Sequence, residues 1–217
     1  MRPDQPPGDR IEASEGHEAL ALSPIISRAI RFATKTHEIY QKQRRKGKDI
    51  PYITHPLVVG LILARAGASE SVIAAGILHD TIEDSIPEKK VSSAMLAGRF
   101  GEDVAELVES VSESDKSLPW EERKREGLEH IKSFSHEALL VKSADTLGNV
   151  SELIDDFARE GDAAFANFNA PKERIIENYL NIVNAILVQW EENPLRLDLQ
   201  NIAISLEQMQ VSKPKNV

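Results

Sequence analysis

The residues best suited to chemistry fall in one short run, His79-Asp80-Thr81-Ile82-Glu83-Asp84. The run follows Ala-Ala-Gly-Ile-Leu, an apolar helical pattern, so a polar cluster is expected at the end of an otherwise buried helix. On a helix, positions four apart share a face, which aligns His79 with Glu83 and Asp80 with Asp84. Packing does not need an imidazole and three carboxylates within two turns. The carboxylates repel one another unless a cation or a proton separates them. A charged helix end in water is the plainer reading of such a run taken alone. Two other residues weigh against it. His55, in Pro-Tyr-Ile-Thr-His-Pro, opens the preceding helix and can fold back against His79. Asp145 lies in a helix among Leu139, Leu140, Val141, Ala144 and Leu147, where a buried carboxylate needs a partner. Two His and two Asp from three helices make a nitrogen–oxygen donor set for a divalent ion such as Mn²⁺, Fe²⁺ or Zn²⁺. The chain has no Cys, which excludes thiolate zinc sites, iron–sulfur clusters and disulfides.

The elements that must position these residues read almost entirely as helix. Apolar spacings of three and four predict helices over 19–45, from Thr54 to near Gly67, from Ser69 through Leu78, and over roughly 88–100, 102–112, 120–133, 136–158, 171–191 and 198–209. Thr54 and Ser69 are the expected N-caps of the second and third. Gly101, Pro119, Gly161, Pro171 and Pro194 punctuate the pattern, and alternating strand patterns are nearly absent. The fold class expected is therefore all-α, a compact helical domain over 19–208. Flexible tails are expected at 1–18 and 209–217. The 217 residues, 41 % hydrophobic and 28 % charged, suit one globular domain. A formal net charge of -9 gives no global pull towards nucleic acids or anionic membranes, so neither is an expected partner. No segment approaches the ~20 apolar residues of a membrane span. The expected address is cytoplasmic, and association into a homo-oligomer is left open.

An anionic substrate would then need local basic groups or a metal. The turn Arg44-Arg45-Lys46 precedes the His55 segment and is a candidate anion trap, with a solvated charged turn as the alternative. Lys116 and Arg123-Lys124-Arg125 form a second basic region, whose plainer reading is a helix face with local pairs such as Glu121–Arg125. Lys142 and Asn149 stand three before and four after Asp145, on its face. Tyr52 can stack on a base or simply pack.

The order His, His-Asp, Asp, carried by QRRKGKDIPYITHP, HDTIED, DKSLPWEERKR and KSADTLGN, resembles the HD-domain phosphohydrolases and, more closely, the hydrolase domain of the RelA/SpoT homologues. It is most similar to the stand-alone small alarmone hydrolases, including the metazoan form, over roughly residues 25–190. The resemblance implies a helical HD-domain bundle with a single Mn²⁺ per subunit, held by His55, His79, Asp80 and Asp145. It implies that Glu83 and Asp84 are catalytic, their separate roles left open. It places base and phosphate contacts at Arg45 and Lys46, and further contacts at Lys142 and Asn149. The implied substrate is (p)ppGpp, cleaved at its 3′-pyrophosphate to GDP or GTP and pyrophosphate. The family also has a His and a Gln in the first helix, here His37 with Gln41; His37 borders the site without joining the ligand set. Thr146 and Gly148 depart from the family, which has a basic and a larger residue there, so a weaker phosphate contact or a wider pocket is expected. That departure keeps open another HD phosphohydrolase, acting on a different nucleotide or on the phosphate of NADPH. A non-catalytic nucleotide sensor is the remaining alternative.

Overall fold

The computed structural model describes residues 23–113 and 117–211; the tail expected at 1–18, His17 and Lys116 lie outside them. Among the described residues the chain forms α1 (Pro24–Thr34), α2 (Thr54–Arg65), α3 (Glu70–Leu78), α4 (Thr81–Asp84), α5 (Ser93–Phe100), α6 (Glu102–Val111), α7 (Trp120–Ile131), α8 (His136–Glu160), α9 (Lys172–Gln189) and α10 (Arg196–Val211), with no strand. The all-α expectation holds. Helix α3 is the hub. All seven residues from Val72 to Leu78 are buried, and α1, α2, α6 and α8 pack around it. Its N-terminus is capped as expected, the Ser69 hydroxyl accepting the Val72 N–H.

Three local departures shape the site. The first helix does not continue to Arg45. It ends at Thr34 and widens into a π-helical turn over Lys35–Tyr40, and Lys42 then adopts a left-handed φ of 52°. The chain next folds into a hairpin-like loop, in which Arg45 N–H donates to the Ile50 carbonyl at 2.8 Å and Tyr52 N–H to the Gln43 carbonyl at 2.9 Å. Gly47, with φ 71°, supplies the reversal that a side chain would resist. Second, Thr54 is not the cap of α2. It sits inside the first turn, where its hydroxyl donates to the Pro51 carbonyl. Third, the helix carrying the His-Asp pair is broken. His79 and Asp80 form the turn between α3 and α4, and only the Asp84 N–H to Asp80 carbonyl bond carries the helical path onward. The run is thus two helices joined by a turn and not one continuous helix, yet His79, Asp80, Glu83 and Asp84 all line one cleft.

Helix α5 starts at Ser93, later than expected, because Pro87 confines the preceding residues to a short 3₁₀ turn. Helix α10 continues to Val211, past the expected boundary at 208, with Met209 buried against the core. Glu121 pairs with Arg174 of α9 at 2.5 Å, not with Arg125, which instead approaches Glu122.

Helices α2 and α3 cross closely at two glycines, Gly60, where a Cβ would stand 2.7 Å from Ile77 Cγ1, and Gly76. A Cβ at Gly76 would stand 2.2 Å from Leu63 Cδ1 and 3.2 Å from Val59 Cγ1. Gly148 of α8 is different: a Cβ there would meet His55 Nδ1 at 3.5 Å, an ordinary contact. Gly76→Val should therefore cost on the order of 1–3 kcal/mol in urea denaturation, whereas Gly148→Ala should stay within about 1 kcal/mol of the parent.

Candidate metal and active site

Four elements bring the sequence-selected residues to one point. Helix α2 supplies His55 from its first turn, and the α3–α4 turn supplies His79 and Asp80. The middle of α8 supplies Asp145, and α4 supplies Glu83 and Asp84. His55, His79 and Asp80 are all buried, and their ligating atoms lie within 4.8 Å of one another. Asp145 Oδ1 stands 3.2 Å from His55 Nε2 and 3.7 Å from His79 Nε2. Asp80 Oδ2 stands 2.9 Å from His79 Nε2 and 3.9 Å from His55 Nε2. The His55 and His79 rings are 5.3 Å apart between centroids and nearly perpendicular.

The donor chemistry fits a divalent cation. His79 Nδ1 is 2.8 Å from the Gly76 carbonyl, which can only accept, so Nδ1 carries the hydrogen. That leaves Nε2, buried and without a hydrogen bond among the described residues, facing the two carboxylates. Donor atoms crowded at this range without hydrogen-bond alignment suit a shared cation, and the fixed Nδ1–H is the usual way a protein orients a ligand imidazole.

The electrostatics agree. Burial alone would lower the His79 pKa, but the adjacent Asp80 and Asp145 carboxylates reverse this and raise it to about 9. Burial pushes Asp80 up, yet His79 and then His55 hold it well below the usual carboxylate range. Asp145 is likewise pushed up by burial and held far down by Lys142, His55 and His79. The pocket demands positive charge, and an imidazolium provides it when nothing else does.

Each carboxylate is oriented by neighbours. Tyr52 donates its hydroxyl to Asp80 Oδ2 at 2.5 Å. Lys142 Nζ binds Asp145 Oδ2 at 2.9 Å, and Asn149 Nδ2 donates to Asp145 Oδ1 at 2.6 Å. Burial disfavours the Lys142 cation, but Asp145 more than offsets this and keeps it charged. Glu83 Oε2 accepts the Glu113 N–H at 3.0 Å, and Asp84 Oδ2 accepts the Gln43 side-chain amide at 2.9 Å.

A cleft of about 520 Å³ opens over this cluster, and a second cavity of about 370 Å³ adjoins it towards α7. The expected basic residues fall into two groups. Arg45 is committed: its guanidinium bonds Glu152 at 2.5 and 2.8 Å and Asn149 Oδ1 at 2.9 Å. Lys46 has no carboxylate partner among the described residues. Its Nζ stands 4.9 Å from the Phe168 ring centre, and its pKa is lowered by burial and by the nearby Lys124 and Arg123 charges. Arg123 and Lys124 are both paired with Glu113. Thr146 lines the cleft, but Gly148 does not; it packs beneath His55, where a Cβ would make only an ordinary contact. Tyr52, Gln43 and Glu152 are the contributors that residue patterns did not assign. Of these, Gln43 and Tyr52 carried a signal, both lying within the motif that ends at His55-Pro56. His37 is buried beside Tyr52 and bonds Gln43, not Gln41. His130 and His136 are exposed.

The HD-domain family matches residues 29–176. The chain is 40 % identical over 131 residues to the guanosine-3′,5′-bis(diphosphate) 3′-pyrophosphohydrolase MESH1 of Xenopus tropicalis, spanning 59 % of this chain and 69 % of that one. It is 31 % identical over 179 residues to a GTP pyrophosphokinase of Myxococcus xanthus, spanning 79 % of this chain and 22 % of that one. Among solved structures, a metazoan ortholog of SpoT that hydrolyses ppGpp superposes with a TM-score of 0.68 at 28 % identity, covering 85 % of this chain and 96 % of the other. No helix among the described residues is long and apolar enough to cross a membrane.

In the metal-free protein the raised His79 pKa stabilises the fold fully below the unfolded value of 6.5, and this contribution is lost as pH rises through about 9. Urea denaturation of chelator-treated protein across about pH 6 to 10 should show that decline, and His79→Ala should flatten it.

Proposed function

The chain belongs to the HD-domain family, in its RelA/SpoT-homologue branch, and from that we propose that it is a Mn²⁺-dependent (p)ppGpp 3′-pyrophosphohydrolase. One observation carries the reading: the buried Nε2 of His79, without an aligned hydrogen bond among the described residues, crowded against Asp80 and Asp145 at the floor of a cleft lined by charged side chains. His55, His79, Asp80 and Asp145 would hold one ion. Bound there, a divalent cation neutralises phosphate charge and makes water more acidic. Mixed imidazole and carboxylate donors suit Mn²⁺.

The chain's own groups do the rest. Hydrolysis forms a bond from water oxygen to phosphorus and breaks the bond from phosphorus to the ribose 3′ oxygen. One proton must leave the water and one must reach the departing oxygen. Glu83 and Asp84 are the carboxylates assigned to this traffic. Lys46 is the cation assigned to the phosphates. Lys142 lends charge beside Asp145, and Asn149, held between Asp145 and Arg45, has its second amide hydrogen assigned to the substrate. The products are GDP or GTP and pyrophosphate, and the compartment proposed is the cytoplasm.

Thr146 favours a second reading. It stands in the cleft wall where the family has a basic residue, so another nucleotide, or NADPH through its phosphate, is the competing substrate. Purified protein with Mn²⁺ should release pyrophosphate from ppGpp, stop when a chelator is added, and recover when Mn²⁺ is restored. Glu83→Gln and Asp84→Asn should each lower kcat by about 10²- to 10⁴-fold. His79→Ala should abolish both turnover and stoichiometric Mn²⁺ binding. Faster turnover of NADPH or of another nucleotide than of ppGpp in a side-by-side panel would reject the alarmone assignment in favour of the second reading.

A further inference from the structure

We propose that His37 and Gln43 form a hydrogen-bonded relay that sets the orientation of the Asp84 carboxylate, and that both are positioning residues for the reaction. The positioning role rests on the function proposed for Asp84; the relay itself rests on geometry. Gln43 Nε2 donates to Asp84 Oδ2 at 2.9 Å. That fixes the amide and turns Gln43 Oε1 towards His37 Nδ1 at 3.0 Å. An amide oxygen also only accepts, so Nδ1 must carry the hydrogen. His37 is fully buried, and burial lowers its pKa against the opposing pull of Asp80, so the ring is neutral. Its Nε2 is then a bare lone pair with no hydrogen bond among the described residues. A leucine would fill the same space without that unpaired polar atom, which is costly in a core. What the histidine adds is the Nδ1–H aimed at Gln43.

The backbone is bent to make this contact. Six residues apart on a regular α-helix, positions 37 and 43 would point about 120° apart. The π-helical turn and the left-handed Lys42 bring them together, and Gln43 N–H donates to the His37 carbonyl at 2.9 Å. The same hairpin-like loop places Tyr52 on Asp80. One loop thus grips both ends of the His-Asp…Glu-Asp segment, through Tyr52 at Asp80 and Gln43 at Asp84.

Ring-nitrogen NMR on the full chain tests the relay without reference to turnover: His37 should be the Nδ1–H tautomer, and the Nε2–H tautomer would overturn the proposal. Kinetics test the positioning role. His37→Leu and Gln43→Leu should lower kcat on ppGpp by about 10- to 100-fold while KM and Mn²⁺ affinity move by no more than about twofold. His37→Asn, whose side-chain N–H lies where Nδ1–H does, should restore kcat to within about threefold of the parent. Equal losses in His37→Asn and His37→Leu, or a loss confined to KM or metal affinity, would reject it. If His37→Leu fails to fold, the tautomer and the Gln43→Leu kinetics decide. If the unaltered protein has the Nδ1–H tautomer but does not turn over ppGpp, the functional reading falls and the hydrogen-bonded relay stands.

Discussion

Two carboxylates, Asp80 and Asp145, are turned towards each other's imidazole partners beneath the surface of a helical core, and much of the structure answers to that arrangement. Negative charge in a poorly solvated site is tolerated only where positive charge and hydrogen-bond donors converge on it. Here Tyr52 donates to one carboxylate, while Lys142 and Asn149 bind the other, and His55 and His79 stand between them. The donors come from α2, α8 and the hairpin, so the helices cannot be rearranged freely around the cluster. The close glycine crossing of α2 on α3 follows from the same need to bring backbones near enough for short side chains to meet.

The hairpin after α1 has a larger part than its length suggests. A regular helix through residue 45 would carry Gln43 and Tyr52 away from α4. The π-helical turn, the left-handed Lys42 and the Gly47 reversal redirect the chain so that Gln43 reaches Asp84 and Tyr52 reaches Asp80. Local backbone irregularity is concentrated beside the chemistry, as is common where side chains must be aimed.

Much of the fold was legible beforehand. Apolar periodicity located the later helices to within a few residues, because a buried stripe leaves an unambiguous spacing of three and four. Ser69 before Glu70 and Gly101 after Phe100 marked real helix ends. Of the candidate site, convergence was legible, since residue types and order sufficed to expect 55, 79, 80 and 145 at one point. What could not be read was anything that depended on irregular backbone. The pairing of His37 with Gln43 in place of Gln41 needs the widened turn. The seating of His55 on Gly148 needs the interhelical distance. The commitment of Arg45 to Glu152 joins residues 107 positions apart, which no local pattern encodes.

The ion pairs along one wall of the cleft carry a further consequence. Arg45 and Lys48 are both bound to Glu152, and Lys48 also to Asp156. Neutralised in this way, the wall presents dipoles and not isolated charges to the solvent, and a dipole's influence fades with distance faster than a monopole's, before screening by salt is counted. Against a formal net charge of -9, long-range attraction of an anion to this wall is therefore weak, and Lys46, with no carboxylate partner among the described residues, is the lining cation left to exert it. Opening that wall to solvent or to a ligand therefore means breaking several coupled ion pairs at once, because Glu152 is shared by both cations.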